Sequence, residues 1–313
     1  MVESKHKWKA WLYLSPAIVL LLIFTVWPII NTVRISLLEG YNSMTAVAGA
    51  QFSVGFDNFM QVIEYKDFLT CLKNTILLCI LTVPISTVLA LLVAVCLNAI
   101  KPLQRLLQTI FFLPYVTNSI AIGMVFAAMF NMVGNAFGGE NELLITAGII
   151  NNILGVFGID PINWINAGST YAANITVMVI YIVWNALPFK ILILLGGLQS
   201  INKQYYDAAR VDGTSKVRVF TKITVPLLSP MLAYVVITGF IGGFKEYSSI
   251  VGIFGDSLGP VGDPRRLNTM VGFIYDALDS HQGRASAAAL ILFGIIFIVT
   301  MINLYVSKKK THY

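Results

Sequence analysis

The chain has 313 residues, of which 57% are hydrophobic and 12% are charged, with a mean hydropathy of +0.77 and a net charge of +6. About a quarter of the residues in soluble domains are charged, so this composition excludes an ordinary soluble protein. No basic stretch is interleaved with aromatic residues, which argues against a nucleic-acid groove. The three cysteines lack CxxC or metal-ligand spacing and are predicted to be small buried hydrophobes.

The first apolar run, residues 11–30, follows three lysines in the first ten residues. A cleaved signal peptide is the alternative, but its apolar core has about 7–15 residues with a cleavage site close behind. This run has about twenty residues, which is enough to cross the hydrocarbon core. The A-x-A sequence at 46–48 lies too far downstream for cleavage. We therefore predict a retained first span that is kinked near Pro28.

Five further runs predict transmembrane helices, and the basic residues decide how many spans there are. The runs are 75–97, 109–133, 171–187, 225–244 and 285–306. With six spans and the N-terminus inside, fourteen Lys and Arg residues, Lys190 among them, fall on the inner side and seven on the outer side. The positive-inside rule expects this asymmetry. A seventh span at 143–159 would reverse it, so that weaker run is predicted to be an outer re-entrant or surface helix.

These runs predict an all-α, polytopic membrane protein. Residues 1–10 form a cytoplasmic N-terminus, 11–32 the first transmembrane helix, and 33–70 an extracytoplasmic segment. Residues 71–306 form a five-helix core with a cytoplasmic loop at 201–226, and residues 307–313 form a cytoplasmic tail.

The cytoplasmic loop begins with a short predicted helix. Asn202 is placed to be its N-cap, because an Asn side chain accepts hydrogen bonds from the free amides of the first turn. Tyr205, Ala208 and Ala209 recur at helical spacing and form one narrow, smooth face. Gly213 follows the last helical residues, where a left-handed C-cap favours glycine.

A second helix, capped by Thr214 or Ser215, is predicted to follow, and Pro226 to mark the turn back toward the membrane. The small face and the surrounding lysines and arginines indicate a docking element. The alternative is that the loop is basic and amphipathic only for topology and contact with membrane lipid.

Polar residues within or beside the apolar runs are the second candidate for function. Asn185 lies beside Trp184 and before Pro188, and Lys245 and Glu246 close the fifth run. Charge at the membrane usually faces a water-filled path or a partner. The alternative for Lys245 is that it extends to the outer interface and pairs with Glu246.

Enzyme signatures are absent from the sequence. There is no G-x-x-x-x-G-K-[ST], so the chain has no phosphate loop and is not an ATPase by itself. There is no H-E-x-x-H, and His6, His281 and His312 are scattered, which argues against a metal site. We predict a non-enzymatic protein with no catalytic residues, no metal and no cofactor of its own.

The loop resembles the signature E-A-A-x3-G-x9-I-x-L-P of membrane subunits of binding-protein-dependent ABC importers. It reads Asp207-Ala208-Ala209, Gly213, and Ile223-Thr224-Val225-Pro226 after the prescribed spacings. Asp207 replaces the glutamate and keeps a carboxylate, while Val225 replaces the leucine and keeps an apolar contact.

Residues from about 12 to 305 resemble the carbohydrate-importing branch, similar to the first permeases of the maltose and glycerol-3-phosphate systems. The matching positions are Gly55 to Phe59, Asn74-Thr75, Leu113-Pro114, the set Gly148, Asn151 and Leu154, and the pair Trp184 and Pro188. Leu258-Gly259-Pro260 departs from the branch's G-G-P. The resemblance implies the six-helix fold of type I ABC importers, in a bacterial or archaeal cell membrane.

The resemblance also implies partners. In this family the loop forms a coupling helix that sits in a cleft of a separate ATP-binding subunit, and the subunit dimer binds ATP and Mg. The residues that correspond to the coupling site are Tyr205, Asp207, Ala208, Ala209, Gly213, Ile223 and Pro226. A second, homologous permease shares the path, and an extracytoplasmic binding protein delivers the solute.

By the same resemblance, a sugar, expected to be an oligosaccharide, passes beside the fourth and fifth spans. Trp184 and Phe189 are then expected to stack on sugar faces, and Asn185, Lys245, Glu246 and Tyr247 to bond hydroxyl groups. An alternative is a phosphorylated or acidic solute, because Lys245 and the pair Arg265-Arg266 supply positive charge.

The sequence supports two other classes of protein less well than an importer subunit. An ion-coupled secondary transporter would need inverted repeats and an acidic or ion site at the midplane, and the sequence has no clear internal repeat. A membrane enzyme would need a catalytic constellation.

Overall fold

The computed structural model describes residues 7–43, 51–100, 104–134 and 145–310. Contacts between residues divide the chain into two units, one of residues 1–68 and 273–294, the other of residues 69–272 and 295–313. Parts of the predicted termini, 1–10 and 307–313, lie outside the described residues, as does the A-x-A at 46–48. The sequence-based domain boundaries remain predictions.

Helices account for most of the described chain. They are α1 (Lys7–Leu21), α2 (Trp27–Leu37), α3 (Asp57–Glu64), α4 (Phe68–Ala99), α5 (Gln104–Val116), α6 (Ser119–Phe130), α7 (Ile149–Val156), α8 (Tyr171–Ser200), α9 (Lys203–Val211), α10 (Lys216–Val219), α11 (Val225–Leu227), α12 (Ser229–Gly243), α13 (Ser248–Phe254), α14 (Met270–Leu278) and α15 (Gln282–Lys310). Leu22–Val26 and Phe220–Thr224 are π-helical, and Gly255–Ser257 is a 3-10 turn. Strands β1 (Met132–Gly134) and β2 (Ile145–Ala147) pair antiparallel.

Four helices are long and apolar enough to cross a membrane, namely Trp8–Leu37, Phe68–Ala99, Tyr171–Ser200 and Gln282–Lys308. Two bent pairs reach the same length together. They are Leu106–Val116 with Ser119–Phe130, bent by 97°, and Lys216–Leu227 with Ser229–Gly243, bent by 67°. Six spans result when each bent pair counts as one, which agrees with the predicted all-α polytopic fold.

The third predicted span, 109–133, is not one continuous helix. It breaks at Asn118, which is extended and caps α6 by accepting hydrogen bonds from the amides of Ile120, at 2.8 Å, and Ala121. Asn favours this position because its side chain competes with the helical backbone for hydrogen bonds. One polar residue therefore divides an apolar run.

The turn predicted at Pro226 is present, but it lies two residues later, at Leu228. Helical structure passes through Pro226, and the 67° bend comes after Leu227. A π-helical turn precedes this proline, and another precedes Pro28 in the first span. Proline lacks an N–H and its ring crowds the carbonyl four residues earlier, so a wider turn is one way to continue the helix.

Only part of the weak run 143–159 is helical, and residues 143–144 lie outside the described chain. Strand β2 comes first, and α7 follows with eight residues, far too few to cross a membrane. The two-stranded sheet was not predicted. Gly148, between β2 and α7, is tightly enclosed, because a Cβ there would lie 2.5 Å from the carbonyl oxygen of Met129.

In the unit of residues 1–68 and 273–294, Asn58 connects α3 with the end of α2. Its buried amide donates to the carbonyls of Ser36 and Leu38, both at 2.9 Å. Gly283 packs on that amide, since a Cβ at Gly283 would lie 2.7 Å from its nitrogen. Tyr65 holds the guanidinium of Arg284 over its ring at 4.7 Å.

In the unit of residues 69–272 and 295–313, one hydrophobic cluster surrounds Tyr181 on α8 and a second surrounds Leu194 on the same helix. Helices α6 and α13 make close backbone contact, because a Cβ at Gly123 would lie 2.6 Å from the Cα of Gly252. Small residues allow such an approach between helices in membranes.

Candidate functional site

The first candidate site is the helical loop, named here the coupling segment (residues 201–226). The cap prediction for α9 is confirmed, since Asn202 Oδ1 accepts from the Gln204 amide at 3.0 Å. The glycine prediction is confirmed as well. Gly213 has φ of +65°, a left-handed conformation, and the Thr214 amide donates to the Ala209 carbonyl at 2.9 Å.

The start of the second helix differs in detail from the prediction. Ser215 occupies the N-cap position of α10, but its side chain makes no capping hydrogen bond. The two helices of the segment are instead connected by Tyr206, whose hydroxyl lies 3.3 Å from Thr224 Oγ1. Sequence reasoning missed this contact, because Tyr206 lies off the face that carries the signature.

A groove of about 410 Å³ runs along α9. Its lining is Asn202, Gln204, Tyr205, Ala208, Ala209, Asp212, Thr214 and Ile223. Four predicted coupling residues therefore come together here: Tyr205, Ala208, Ala209 and Ile223. Ala209 is only 5% exposed, whereas Tyr205 is 55% exposed at the groove's edge.

The other three predicted coupling residues lie away from the groove. The Asp207 carboxylate is half-exposed and lies 3.7 Å from the guanidinium of Arg210. Gly213 shapes the turn after α9, and Pro226 lies in α11. A cation is therefore already close to Asp207 on the surface of α9.

The second candidate site is a cavity of about 270 Å³, named here the central cavity. Helix α4 contributes Thr82, Val83 and Ser86; α5 contributes Tyr115; α8 contributes Ile182, Asn185, Ala186, Phe189 and Lys190; α12 contributes Thr238, Gly239, Gly242 and Gly243; and Glu246 follows α12. Four helices of one unit thus surround a space with polar and aromatic walls.

The cavity contains three of the six residues predicted for the solute path: Asn185, Phe189 and Glu246. The other three lie outside its wall. Trp184 packs on Phe126, with ring centroids 5.2 Å apart, Tyr247 packs against the cluster around Tyr181, and Lys245 is exposed after α12.

Aromatic stacking forms one wall. Tyr115 stacks on Phe189 with ring centroids 5.8 Å apart and planes 18° apart. Sequence reasoning missed Tyr115, because it directly follows the Leu-Pro pair and nothing in the sequence places α5 against α8. Beside this wall, the Asn185 amide donates to Ser119 Oγ at 3.4 Å, and the Tyr181 hydroxyl donates to the Ser119 carbonyl.

Lys190 is the largest correction to the sequence analysis. The sequence predicts that Lys190 lies on the inner side of the membrane, outside the spans. In the structure it lies well inside α8 and is only 4% exposed. Its ammonium donates to Ser86 Oγ at 2.7 Å, Thr87 Oγ1 at 3.0 Å and the Val83 carbonyl at 3.2 Å. The signal was available, because residues 191–198 are apolar again and place the lysine inside a thirty-residue helix.

Within the ranges that the structure describes, no three His, Cys, Asp or Glu side chains are grouped as metal ligands. Apolar helices surround a cavity that contains polar and charged groups, and two of the candidate spans are bent. A capped amphipathic helix with a groove follows α8, the helix that contributes the largest share of the cavity lining. These features define the class of a polytopic membrane transport subunit.

The comparisons with known proteins identify the family. Residues 74–312 match the family described as "Binding-protein-dependent transport system inner membrane component", and the chain belongs to it. It is 27% identical to the lactose transport system permease protein LacF of Rhizobium radiobacter, over 94% of this chain and 91% of that protein. It is 28% identical to the trehalose/maltose transport system permease protein MalF of Thermococcus litoralis, over 99% and 98%.

The fold has a solved counterpart. A bacterial ABC transporter involved in the import of the acidic polysaccharide alginate contains a chain that superposes with a TM-score of 0.76 at 20% identity, covering 98% of both chains. The protein is therefore a permease subunit of a binding-protein-dependent transport system, with the fold of ABC importer permeases, and it is not an enzyme. Membership of this family argues against the alternative of an ion-coupled secondary transporter.

Proposed function

We propose that this subunit forms, with a second homologous permease, the path for a carbohydrate, and that a dimer of ATP-binding subunits drives import through the coupling segment. An extracytoplasmic binding protein delivers the solute, and ATP and Mg belong to the ATP-binding subunits. The relatives named for lactose and for trehalose and maltose support a sugar of this kind. Both termini are proposed to be cytoplasmic.

The groove along α9 carries the mechanical half of the proposal. Its floor is small and apolar at Ala208 and Ala209, with Tyr205 at the edge and Ile223 opposite. A short helix whose start is capped by Asn202 and whose end is fixed by Gly213 transmits a push with little local unfolding. We expect Asp207, already beside Arg210, to meet a basic side chain of the ATP-binding subunit.

The central cavity supports the carbohydrate half. The stacked pair of Tyr115 and Phe189 offers an apolar face, while Asn185 offers an amide and Glu246 a carboxylate. Ligand sites combine aromatic walls with a few placed polar groups in this way. Sugar rings have the matching chemistry, because their C–H faces are apolar and each hydroxyl both donates and accepts hydrogen bonds.

The alternative of an acidic or phosphorylated solute depends on Lys245, Arg265 and Arg266, and none of these three residues lines the central cavity. Lys245 is exposed after α12. Arg266 is engaged by Asp263 at 2.6 Å and by the Ser169 carbonyl at 2.6 Å. Arg265 is absent from the lining as well. The cation that does line the cavity, Lys190, is matched by the carboxylate of Glu246 in the same lining. We therefore favour a carbohydrate without an obligatory charge.

The test is purification of the tagged chain from native membranes, with every co-purifying chain identified by mass. We expect an ATP-binding subunit and a second six-span permease, after which the accompanying binding protein is screened against oligosaccharides. A chain that comes out alone, and moves solute in liposomes under an ion gradient without ATP, would overturn the proposal.

A variant makes this test specific for the coupling segment. Ala209→Trp places a large ring where a buried alanine lines the groove, so the ATP-binding subunit should be lost while the second permease is retained. Ala10→Trp, at an exposed position of α1, is the matched control and should keep both partners. Retention of the ATP-binding subunit by Ala209→Trp would exclude this groove as its contact.

A further inference from the structure

The buried ammonium of Lys190 has only uncharged partners. It contacts one carbonyl and two hydroxyl groups, all on α4. Among the residues that the structure describes, no carboxylate forms an ion pair with it. Helix α12 passes beside it, because a Cβ at Gly239 would lie 3.2 Å from its nitrogen. A charge at such a site is costly and usually faces a polar path.

The partners of Lys190 do not require a charge. Ser86 Oγ donates its own proton to the Thr82 carbonyl at 2.5 Å, and Thr87 Oγ1 donates to the Val83 carbonyl at 2.7 Å. Both hydroxyl groups thus have acceptors for their own protons without the lysine, so connecting α8 to α4 does not by itself require a positive charge. The positive charge is better explained by the central cavity, which Lys190 lines.

A carboxylate lines the same cavity. Glu246 follows α12, and its Oε1 accepts a hydrogen bond from the Ser249 amide at 3.1 Å. The lining therefore contains one cation, on α8, and one anion, in the segment between α12 and α13, and the two do not form an ion pair. Its lining has no net formal charge, so an anionic group on a solute would gain from Lys190 and be repelled by Glu246.

We infer that Lys190 and Glu246 are specificity-determining residues that form two charged ends of the solute site and orient an uncharged, polyhydroxylated solute between them. Solute oxygens face Lys190, and solute hydroxyl protons are donated toward Glu246. Hydroxyl groups meet both needs because each is a donor and an acceptor. The inference rests on the proposed function and names the substrate class as neutral polyols, sugars included.

The local potential can be measured without knowing the solute. Thr238 and Gly242 both line the cavity, one turn apart on α12, with Thr238 next to the Lys190 contact and Gly242 nearer Glu246. A Cβ at Gly242 meets nothing within 4 Å, so cysteine fits there. Cys71 and Cys79 are fully buried, as predicted, but Cys96 is exposed, so the prediction of a buried cysteine is wrong there. Single reporters Thr238→Cys and Gly242→Cys are therefore placed in a Cys96→Ser chain.

Membranes that contain the whole transporter are treated with sulfonatoethyl (anionic) or trimethylammonioethyl (cationic) methanethiosulfonate, and each rate is normalised to that of a free thiol. We expect at least tenfold preference for the anionic reagent at Thr238→Cys, and a preference for the cationic reagent at Gly242→Cys. Lys190→Met should remove the first preference and Lys190→Arg should keep it. Glu246→Gln should remove the second.

Lys66→Met, at an exposed position outside the cavity, is the charge-loss control and should change neither ratio. Equal rates of both reagents at Thr238→Cys in the chain with Lys190 intact would overturn the inference, whether or not the lysine variants fold. Anionic preference at both reporters, insensitive to Glu246→Gln, would also overturn it and indicate an acidic solute. Because no transport is measured, these outcomes are independent of the co-purification test.

Discussion

Several residues that carry the family resemblance have structural roles in this chain. Asn74 is buried, donates to the carbonyls of Arg266 and Asn268 at 3.0 and 2.9 Å, and accepts from the Tyr171 hydroxyl at 2.7 Å. Asn151 makes a comparable set of bonds to Ile162 and Trp164. Such amides hold loops that would otherwise bury unpaired carbonyls.

Replacement of Asn74 by alanine should therefore be far more damaging than removal of the hydroxyl that it binds. Asn74→Ala leaves two carbonyls and one hydroxyl without their partner. We expect it to lower the free energy of unfolding by about 2 kcal/mol or more. Tyr171→Phe should cost about 1 kcal/mol. The measurement is the thermal unfolding midpoint of the solubilised transporter. The two losses should not add in the double variant, and strict additivity would contradict the observed bond.

Gly213 is the residue of the coupling segment with the sharpest conformational requirement. A Cβ there meets nothing within 4 Å, so alanine is opposed only by φ of +65°, at a cost of about 1–2 kcal/mol. Proline cannot adopt that φ and also removes the N–H that donates to the Arg210 carbonyl at 3.1 Å. We expect reduced coupling in Gly213→Ala and none in Gly213→Pro, measured as solute-stimulated ATP hydrolysis.

The control for Gly213 is Gly196→Ala. A Cβ at Gly196 also meets nothing within 4 Å, but this glycine lies in α8 without a positive φ. It should leave stimulated hydrolysis unchanged. Full stimulation in an inserted Gly213→Pro chain would refute a coupling role for this turn.

At the scale of elements, the apolar runs located all six candidate spans, but not the bends within two of them. Hydropathy averages over about nineteen residues and therefore detects that a segment is apolar. The 97° bend between α5 and α6 lies at Asn118, whose side chain caps α6, and the bend after Leu227 follows a π-helical turn. Both are local hydrogen-bonding events that such an average does not register.

The bend between α5 and α6 should depend on the Asn118 side chain. Asn118→Ala removes the acceptor for two free amides of α6 and is expected to cost about 1 kcal/mol, within the usual range for a lost N-cap. Asn118→Ser, which retains a capping oxygen, should recover most of it. The measurement is the thermal unfolding midpoint of the unchanged chain, Asn118→Ala and Asn118→Ser. Equal decreases in the midpoint for the two variants would show that the capping hydrogen bonds do not stabilise this bend.

The two candidate sites also differ in how far the local sequence predicts them. The coupling segment could be predicted because cap, small face and glycine are all local in sequence. The central cavity could be predicted only in part, because the partners of Lys190 and Phe189 come from helices more than seventy residues away. Lys190 was missed for a specific reason: the predicted span ended at Leu187, so the charge was assigned to a loop.

For the whole molecule, the correction at Lys190 leaves the charge asymmetry in place. Without it, thirteen of the predicted inner Lys and Arg residues remain against seven outer ones, fourteen less one. The positive-inside argument for a cytoplasmic coupling segment therefore survives. A direct test of the topology has to distinguish four spans from six, since both place the two termini on the same side of the membrane.

The position of α7 and α9 relative to the termini separates these topologies. With six spans, α9 lies on the side of the termini and α7 on the opposite side; with four, the two exchange places. Val156 and Val211 are 83% and 89% exposed, so Val156→Cys and Val211→Cys in a Cys96→Ser chain are suitable probes. We expect a membrane-impermeant maleimide to label Val156→Cys in intact cells or spheroplasts, and Val211→Cys only after permeabilisation. The reverse pattern would mean that both bent pairs are re-entrant, and a coupling segment outside the cell could not reach an ATP-binding subunit.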